Sequence, residues 1–402
     1  MIALFHATTG QGHQKAAEAV QTALHHEGYT SPDPIDALDL MTSPFRRLYR
    51  EGYLALANRH VNLLDALYNR TDHHPGNHLF YRLRLGIGKV QSPGLSKTLE
   101  SLSPSVIACT HFLPLELLAT FKSGTGSGVP LVSILTDFNP HGFWIHPHVD
   151  LYIVPNEEAS VELESRGVPP DRIQIAGIPI NPVFSRNIPP ENARKLLGLP
   201  DFPTVLILSG GFGTGPLTEA LQSFRDASHR YSVIIVAGHN AALEKKLRTL
   251  SMGFPLPVTV RGFVENMDVL MDAADIVVTK PGGLTTSEVL AKSRPMILMN
   301  PRGGQERRNT DYLVEYGAAI RVHDPIHTCA LVETVLGDPE RRETMSWNCR
   351  RIARPQAATL IARTLIQMDT RIGGTACTTG QSGFQTYTWG QGDASRNNSL
   401  NS

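Results

Sequence analysis

The clearest fold signal in the chain lies at residues 204–225, TVLILSGGFGTGPLTEALQSFR. The apolar run Thr204–Leu208 predicts a buried strand, the glycine-rich run Ser209–Gly215 a tight turn, and Pro216–Arg225 a helix. Residues 2–24, IALFHATTGQGHQKAAEAVQTAL, show the same order of strand, glycine turn and helix. Two halves that open in the same way indicate an α/β protein built from two similar units.

Short apolar runs and helical segments alternate through the rest of both halves. Further strands are predicted at Ile2–Ala7, Val106–Cys109, Leu131–Leu135, Leu151–Val154, Val233–Ala237, Val258–Arg261, Ile276–Thr279 and Met296–Met299. Such alternation is typical of doubly wound parallel sheets, whose ligands bind at the carboxyl ends of the strands. We therefore expect two Rossmann-like sheets that face each other across a cleft.

The proline-dense stretch Gly177–Pro190 indicates a linker between a first domain at 1–180 and a second domain at 190–350. We expect a helix at about 350–370 to pack back on the first domain. From 373 to 402, Gly, Thr, Ser, Gln and Asn dominate without any period, which predicts a disordered, non-catalytic tail.

The composition excludes several classes of function. The 402 residues contain 37 Lys+Arg and 37 Asp+Glu, so the net charge gives no support for nucleic-acid binding. The four cysteines form no CxxC pair, which is typical of a reduced, cytosolic protein. The first residues lack the features of a signal peptide, and every apolar run is far shorter than the ~20 residues of a spanning helix. We therefore expect no membrane span.

The first candidate motif is Gly10-Gln11-Gly12-His13. The two glycines allow a tight turn and place His13 at a helix N-terminus, where the helix dipole disfavours the charged ring. A neutral imidazole can serve as a general base, although a histidine that only begins a helix is an equal alternative. The Rossmann fingerprint fails here, because Lys15 occupies the position of its third glycine.

The second motif is the turn Ser209–Gly215 before a helix. Its backbone N–H groups and the helix dipole would suit a diphosphate, and a purely structural glycine turn is the alternative. It matches neither the P-loop nor the Rossmann pattern.

The third region comprises Arg261–Val264, Thr279–Glu288 and Gly303–Asn309, three loops expected at successive strand ends. Gly282 and Gly283 would let a ligand approach, and Glu288 could accept hydrogen bonds from ribose hydroxyls. The spacing of Thr285 and Glu288 also fits a helix capping box, so the two interpretations compete. The chain contains no D-x-D motif, and we expect neither a metal site nor a cofactor beyond the sugar-nucleotide substrate.

Taken together, these motifs resemble those of a known family, that of monogalactosyldiacylglycerol synthase and processive diacylglycerol glucosyltransferase. This family is related to the peptidoglycan N-acetylglucosaminyltransferase. The resemblance extends from about residue 2 to about residue 365. It rests on Gly10-x-Gly12-His13, Leu135–Phe138 with Phe143–His146, Gly177–Pro179, Gly210–Gly213, Thr279–Gly283 and Gly304-Gln305-Glu306-x-x-Asn309. The resemblance implies the GT-B fold and transfer of a hexose from UDP-galactose or UDP-glucose to diacylglycerol, with inversion at the anomeric carbon.

The resemblance also implies residue roles. His13 would be the base, with Asp137 as a second catalytic residue, and Trp144 would lie on the acceptor side. The expected contacts to the UDP-sugar are Gly12, Gly211, Gly213, Thr214, Phe263, Lys280, Gly282, Gly283, Thr285, Glu288, Gln305, Glu306 and Asn309. One departure is Asn181, which stands where the family often has Arg. Lys280, Arg307 or Arg308 could supply the missing charge.

A basic segment predicts membrane contact. Between Met41 and Lys97 there are nine basic residues, among them Arg46, Arg47 and Arg50, against three acidic ones, a net charge of +6 before histidines. Interleaved aromatic residues favour docking on anionic lipid, and an ordinary solvated helix pair is the alternative. We expect a peripheral protein on the cytoplasmic face of the cell membrane.

Three other functions remain open at this stage. The chain could transfer N-acetylglucosamine from its UDP derivative to a polyprenyl-linked acceptor, or it could bind UDP-sugars as a non-catalytic sensor. A nicotinamide dehydrogenase is disfavoured, because the GxGxxG fingerprint is absent.

Overall fold

The structure is a computed structural model. It describes residues 1–8, 10–44, 46–47, 49, 93–208, 210, 215–228, 230–299, 301 and 303–377.

Within these residues, two six-stranded sheets form, and every strand pairing is parallel. The first sheet contains β1 (Ile2–His6), β2 (Ile35–Asp36), β3 (Val106–Cys109), β4 (Leu131–Ile134), β5 (Leu151–Val154) and β6 (Ile173–Ile175). The second contains β7 (Thr204–Leu208), β8 (Ser232–Val236), β9 (Val258–Arg261), β10 (Ile276–Thr279), β11 (Met296–Met299) and β12 (Ala319–Val322).

Helices cover both faces of the two sheets. Those of the first half are α1 (Gln11–His26), α2 (Pro93–Leu102), α3 (Phe112–Thr125) and α4 (Glu157–Ser165). Those of the second half are α5 (Pro190–Leu197), α6 (Leu217–Ser223), α7 (Ala241–Leu250), α8 (Met267–Ala273), α9 (Gly283–Ala291), α10 (Gly303–Glu315), α11 (Thr328–Leu336), α12 (Pro339–Ile352) and α13 (Ala357–Cys377).

The central strands were predictable because they are buried on both faces. β1, β3, β4, β7, β8, β10 and β11 are buried along their whole length, as parallel strands between two helix layers must be. β2, β6 and β12 were not predicted, and all three lie at a sheet edge. Their sequences, ID, IQI and AIRV, are short or mixed with polar residues, because an edge strand is only half covered.

The order of the strands places a ligand site in each sheet. In the first sheet, with order β2-β1-β3-β4-β5-β6, the chain reverses direction between β1 and β3. In the second, with order β12-β11-β10-β7-β8-β9, it reverses between β7 and β10. Such switch points open a crevice at the carboxyl ends of the strands. The loops after β1, β3, β7 and β10 are therefore where a site is expected.

The last helix returns to the first domain. In α13, Ala358, Ile361, Ala362 and Leu365 are fully or almost fully buried in one cluster with residues of β1 and α1. The two chain segments that join the domains also touch each other. Gly177 has φ 102°, and a Cβ there would overlap the Arg354 side chain, so this crossing requires glycine.

A buried ion pair fixes the linker to the second domain. Lys292 and Asp272 are both 0% exposed, and the Lys292 ammonium donates to the Asp272 carboxylate at 2.7 Å. The same ammonium donates to the main-chain carbonyl of Arg186, which lies in the linker. The linker is thus anchored just before α5.

The end of the chain departs from the prediction in one respect. Helix α13 runs to Cys377, so the predicted start of the tail at residue 373 falls inside a helix. Residues 378–402 lie outside the described part, and a disordered tail there stays a prediction. Among the described residues, no helix has the length and apolarity needed to cross a bilayer.

Candidate active site

His13 lies in the first turn of α1, at the carboxyl end of β1. Its Nδ1 is 2.8 Å from the main-chain carbonyl of Thr110, and the Thr110 hydroxyl donates in return to the carbonyl of His13 at 2.8 Å. A carbonyl only accepts hydrogen bonds, so Nδ1 carries the proton in the neutral ring. Nε2 then holds the lone pair, and it takes part in no hydrogen bond among the described residues. This is the tautomer that a general base requires.

The surroundings of His13 keep its ring neutral. Burial lowers the pKa of His13 below its ordinary value, although the Asp137 carboxylate and the Thr110 carbonyl oppose this shift. The His111 ring meets the His13 ring edge-on at 4.4 Å between centroids, and burial also lowers the pKa of His111 well below its usual value. At neutral pH the first domain therefore presents an uncharged imidazole.

Sequence reasoning missed the residues that hold His13. Thr110 and His111 follow β3, and the Thr136 hydroxyl, after β4, lies 3.0 Å from His13 Nδ1. Their position directly after predicted strands was the available signal, because carboxyl ends of parallel strands meet at one edge.

Asn309 links the second domain to the first. It is 0% exposed, and its amide nitrogen donates to the Asp137 carboxylate at 2.9 Å and to the Pro281 carbonyl at 3.0 Å. Its amide oxygen accepts from the main-chain N–H of Phe138 at 3.0 Å. The polar atoms of Asn309 are thus used in bonds to both domains, and its predicted contact with the sugar stays a prediction.

The two glycines after β10 have different roles. A Cβ at Gly283 would overlap the main-chain carbonyl of Thr136 from the first domain. Gly283 therefore admits a close approach of the other domain, and its contact with a ligand stays a prediction. A Cβ at Gly282 would meet no atom within 4 Å, so space for a ligand lies over Gly282.

Glu288 projects from α9, and the capping-box interpretation of this residue is wrong. The helix begins at Gly283 with Gly282 as its N-cap, so Thr285 lies inside the first turn and caps nothing. Burial raises the pKa of Glu288 to about 8, an effect that the charge of Lys15 opposes. In the described part of the chain, the Glu288 carboxyl makes no hydrogen bond. A half-buried carboxyl without a protein partner is suited to hydroxyl donors from a ligand.

Lys15 brings a positive charge from the first domain to Glu288 in the second. Its ammonium also pairs with Glu18 at 2.7 Å. Asn181, which replaces the Arg frequent in the family, accepts from the Val183 N–H at 3.0 Å and caps a short helical turn. The proximity of Lys15 to Glu288 is not visible in the sequence, where Lys15 stands out only because it occupies the position of the third Rossmann glycine.

The remaining predicted donor contacts that the structure describes follow strands of the second sheet, except Gly12, which lies in the first turn of α1. Phe263 follows β9, is 49% exposed, and stacks on His239 with 4.1 Å between ring centroids. Half-buried positions are found for Gly12, Lys280, Thr285, Gln305 and Glu306. Gly211, Gly213 and Thr214 lie outside the described residues.

The residues expected to contact the acceptor or the membrane differ in their exposure. Trp144 is only 1% exposed and belongs to the core of the first domain, so its indole offers no surface to a lipid. Half-buried Phe112 packs edge-on against Trp144 and also contacts Phe143. Arg46 forms a surface ion pair with Asp39 at 3.2 Å, and Arg47 is exposed. Arg50, with most of the basic segment, lies outside the described residues.

Comparison with known proteins assigns this arrangement to a class. Residues 13–180 match the family model of monogalactosyldiacylglycerol (MGDG) synthase, and residues 204–347 match that of the glycosyltransferase family 28 C-terminal domain. The fold is that of Acinetobacter baumannii MurG (15% identity, 91% of this chain, 99% of that chain, TM-score 0.56). It is also that of Anabaena Alr3699/HepE in complex with UDP-glucose (14% identity, 94% and 100% coverage, TM-score 0.51). The chain is a glycosyltransferase with the GT-B fold.

A relative in sequence narrows this class. The chain is 33% identical over 275 residues to the processive diacylglycerol beta-glucosyltransferase of Bacillus thuringiensis (strain Al Hakam). These 275 residues make up 68% of this chain and 70% of the relative. The chain therefore belongs to the family of monogalactosyldiacylglycerol synthase and processive diacylglycerol glucosyltransferase. The resemblance and the fold class predicted from the sequence are confirmed.

Proposed function

We propose that this protein transfers a hexose from UDP-glucose or UDP-galactose to the free hydroxyl of diacylglycerol and inverts the anomeric carbon. The single observation that supports this most is the state of His13. Its Nδ1 is committed to the Thr110 carbonyl at 2.8 Å, which leaves the Nε2 lone pair for the acceptor hydroxyl. A binding protein that only sensed UDP-sugars would need no neutral, oriented imidazole at this place.

The reaction is a single displacement. Nε2 of His13 accepts the proton of the diacylglycerol hydroxyl while the hydroxyl oxygen forms a bond to C1 of the hexose. The bond between C1 and the diphosphate oxygen breaks, and UDP leaves with the electron pair. Attack from the face opposite UDP inverts the centre and gives a β-glycoside. The Asp137 carboxylate stabilises the imidazolium that forms, since its charge favours the protonated ring.

The donor lies on the second domain in this proposal. The Glu288 carboxylate accepts hydrogen bonds from the ribose hydroxyls, and the backbone of Phe263 meets the uracil. Gln305 and Glu306 contact the hexose hydroxyls from the first turn of α10. The diphosphate binds the glycine-rich turn at 209–215 and the N-terminus of α9, where helix dipoles stabilise the developing negative charge. Lys15 supplies part of the positive charge that Asn181 lacks.

The acceptor reaches the site from a membrane surface. We propose that the basic segment between Met41 and Lys97, with its net charge of +6 before histidines, binds anionic lipid on the cytoplasmic face of the membrane. Arg46, Arg47 and Lys97 are its described basic residues. The half-buried rings of Phe112 and Phe143 stand beside His111, so the apolar part of the acceptor can pack there.

The proposal is tested with purified protein, vesicles that contain diacylglycerol, and labelled UDP-glucose, UDP-galactose or UDP-N-acetylglucosamine. We expect labelled hexosyl diacylglycerol from one of the first two donors, and more of it when the vesicles contain anionic lipid. Product only from UDP-N-acetylglucosamine with a polyprenyl-linked acceptor would overturn the assignment of substrates. Binding of UDP-sugar without any product would favour a sensor.

A further inference from the structure

Three consecutive residues of the first domain link the surroundings of the base to the second domain. We call the contact the interdomain clasp. It consists of Thr136, Asp137 and Phe138 from the loop after β4, and of Gly283, Asn309 and Tyr312 from the second domain. The loop is short and lies at the carboxyl edge of the first sheet, next to His13.

On the side of the second domain, Asn309 is the centre of the clasp. Its amide bridges the Asp137 carboxylate and the Phe138 N–H, at 2.9 and 3.0 Å. Its third hydrogen bond, 3.0 Å to the Pro281 carbonyl, ties the same amide to the loop that leads into α9. The Phe138 ring stacks on Tyr312 with 4.6 Å between centroids and 15° between planes. The contacts of Asn309 and Tyr312 with Asp137 and Phe138 break if the domains separate, whereas the bond to Pro281 stays within the second domain.

On the side of the first domain, the same loop holds the base. The Thr136 hydroxyl lies 3.0 Å from His13 Nδ1, while the carbonyl of Thr136 occupies the space that a side chain at Gly283 would fill. Asp137 acts on the His13 ring through its charge. A movement of this loop would therefore change both the position and the electrostatics of the imidazole.

We infer that Asn309 is a positioning residue, which completes the base only when the second domain closes on the first. The clasp holds Thr136 and Asp137 against His13, and it does so from the helix that also presents Gln305 and Glu306 to the donor. Closure over a bound UDP-sugar thus coincides with assembly of the base. In an open molecule the donor would be exposed to water, but the base would not be set. This inference rests on the proposed function, and it assigns Asn309 a role other than sugar recognition.

The test compares Asn309→Leu with the matched control Asn348→Leu. Asn348 donates to the Gly317 carbonyl at 3.2 Å within the second domain and has no place in the site. For Asn309→Leu we expect kcat to fall by about 10- to 100-fold, as for a misplaced catalytic group, with the affinity for UDP and the KM for the donor unchanged. Small-angle scattering should show a larger radius of gyration for Asn309→Leu than for wild type. Asn348→Leu should leave all these quantities unchanged.

Gly283→Ala tests the clasp from the opposite side, and it replaces Asn309→Leu if that variant fails to fold. The added methyl group meets the Thr136 carbonyl, so we expect the same fall in kcat and the same opening. A double-mutant cycle completes the test. If Asn309 acts through Asp137, adding Asn309→Leu to Asp137→Asn should lower kcat little further.

Different outcomes separate the possible failures. A raised donor KM in Asn309→Leu, with effects that multiply those of Asp137→Asn, would make Asn309 a sugar ligand and overturn the inference. Unchanged kcat in both Asn309→Leu and Gly283→Ala would also overturn it. If wild-type protein makes no glycolipid from any donor, the proposed function fails instead. The scattering and the UDP affinity still report on the clasp in that case.

Discussion

The two halves of the site are built differently. On the first domain, the His13 ring is held by the Thr110 carbonyl at 2.8 Å, the Thr136 hydroxyl at 3.0 Å and the edge of His111 at 4.4 Å. On the second domain, Glu288 lacks a hydrogen-bond partner among the described residues, Phe263 is 49% exposed, and open space lies over Gly282. The ring of the reacting half is held by protein contacts in this closed arrangement, whereas the Glu288 carboxyl in the half assigned to the donor has no hydrogen-bond partner among the described residues.

This difference is physically reasonable. A catalytic group stabilises the transition state best when its orientation is fixed beforehand, because reorientation would add to the barrier. Groups that recognise a substrate must instead be unsatisfied without it, because their hydrogen bonds are the source of affinity and specificity. Substitutions at His13 and at the clasp that holds its surroundings should therefore affect turnover, and substitutions at donor contacts such as Glu288 should affect binding.

The largest effect is expected from His13→Ala. Loss of the general base should lower kcat for transfer to diacylglycerol by about 10²- to 10⁴-fold. The affinity for UDP, measured by calorimetry, should stay the same, because the donor lies on the other domain. His148→Ala, at an exposed position of the first domain, is the control and should behave as wild type. Turnover that survives in His13→Ala would refute the role of this residue as base.

The corresponding substitution in the half assigned to the donor is Glu288→Gln. An amide keeps the shape of the side chain but is a weaker and less symmetrical acceptor than a carboxylate. We expect UDP to bind about 10-fold more weakly, about 1.4 kcal/mol, while kcat at saturating donor changes less. Glu340→Gln, at an exposed position, serves as the control. Equal UDP affinity in wild type and Glu288→Gln would remove this residue from the donor site.

The pH dependence of UDP binding is a further test of Glu288 as a donor contact. Burial raises the pKa of Glu288 to about 8, so at pH 7 its carboxyl is mostly protonated before UDP binds. Ribose hydroxyls favour the carboxylate and lower this pKa, so binding should release a proton. The affinity should therefore rise as the pH increases towards 8 and level off above it. Calorimetry in buffers of different ionisation enthalpy measures the release.

Glu288→Gln is the reference variant for this measurement. It lacks the Glu288 carboxyl but retains any proton release that comes from the phosphates of UDP itself. Proton release that is equal in the variant and the wild type would show that Glu288 does not titrate on binding.

The smallest effect is expected from Thr136→Val. This change removes one hydroxyl beside His13 Nδ1 but keeps the hydrogen bond to Thr110, so kcat should fall only about two- to tenfold, the net worth of one hydrogen bond. Thr120→Val is the control, since its hydroxyl bonds to the Glu116 carbonyl within α3. A loss as large as that of His13→Ala would mean that Thr136, not Thr110, orients the ring.

The sequence predicted the central strands, and it singled out His13 and Glu288 as candidates, because these signals are local. A run such as Thr204–Leu208 is apolar because it is buried on both faces, and His13 stands out because it follows two glycines. Glu288 was visible in the same way, although its capping-box alternative could be rejected only when the helix start at Gly283 was known.

The rest of the site could not be predicted because it depends on contacts between distant residues. Thr110 is 97 positions from His13, and Asn309 is 172 positions from Asp137. An asparagine in a polar motif is equally compatible with a sugar contact and with a buried bridge between domains. Trp144 shows the same limit, since the sequence placed it on the acceptor side but could not show that its ring is buried in the core.

The most direct test of a single displacement between the two domains is the anomeric configuration of the product. The proposed donor is an α-linked UDP-hexose, so attack opposite to UDP by a hydroxyl that His13 deprotonates would give a β-glycoside. Proton NMR of the hexosyl diacylglycerol made by the wild-type protein distinguishes the two anomers. We predict the β-anomer alone. An α-linked product would contradict a base that faces the donor across the cleft.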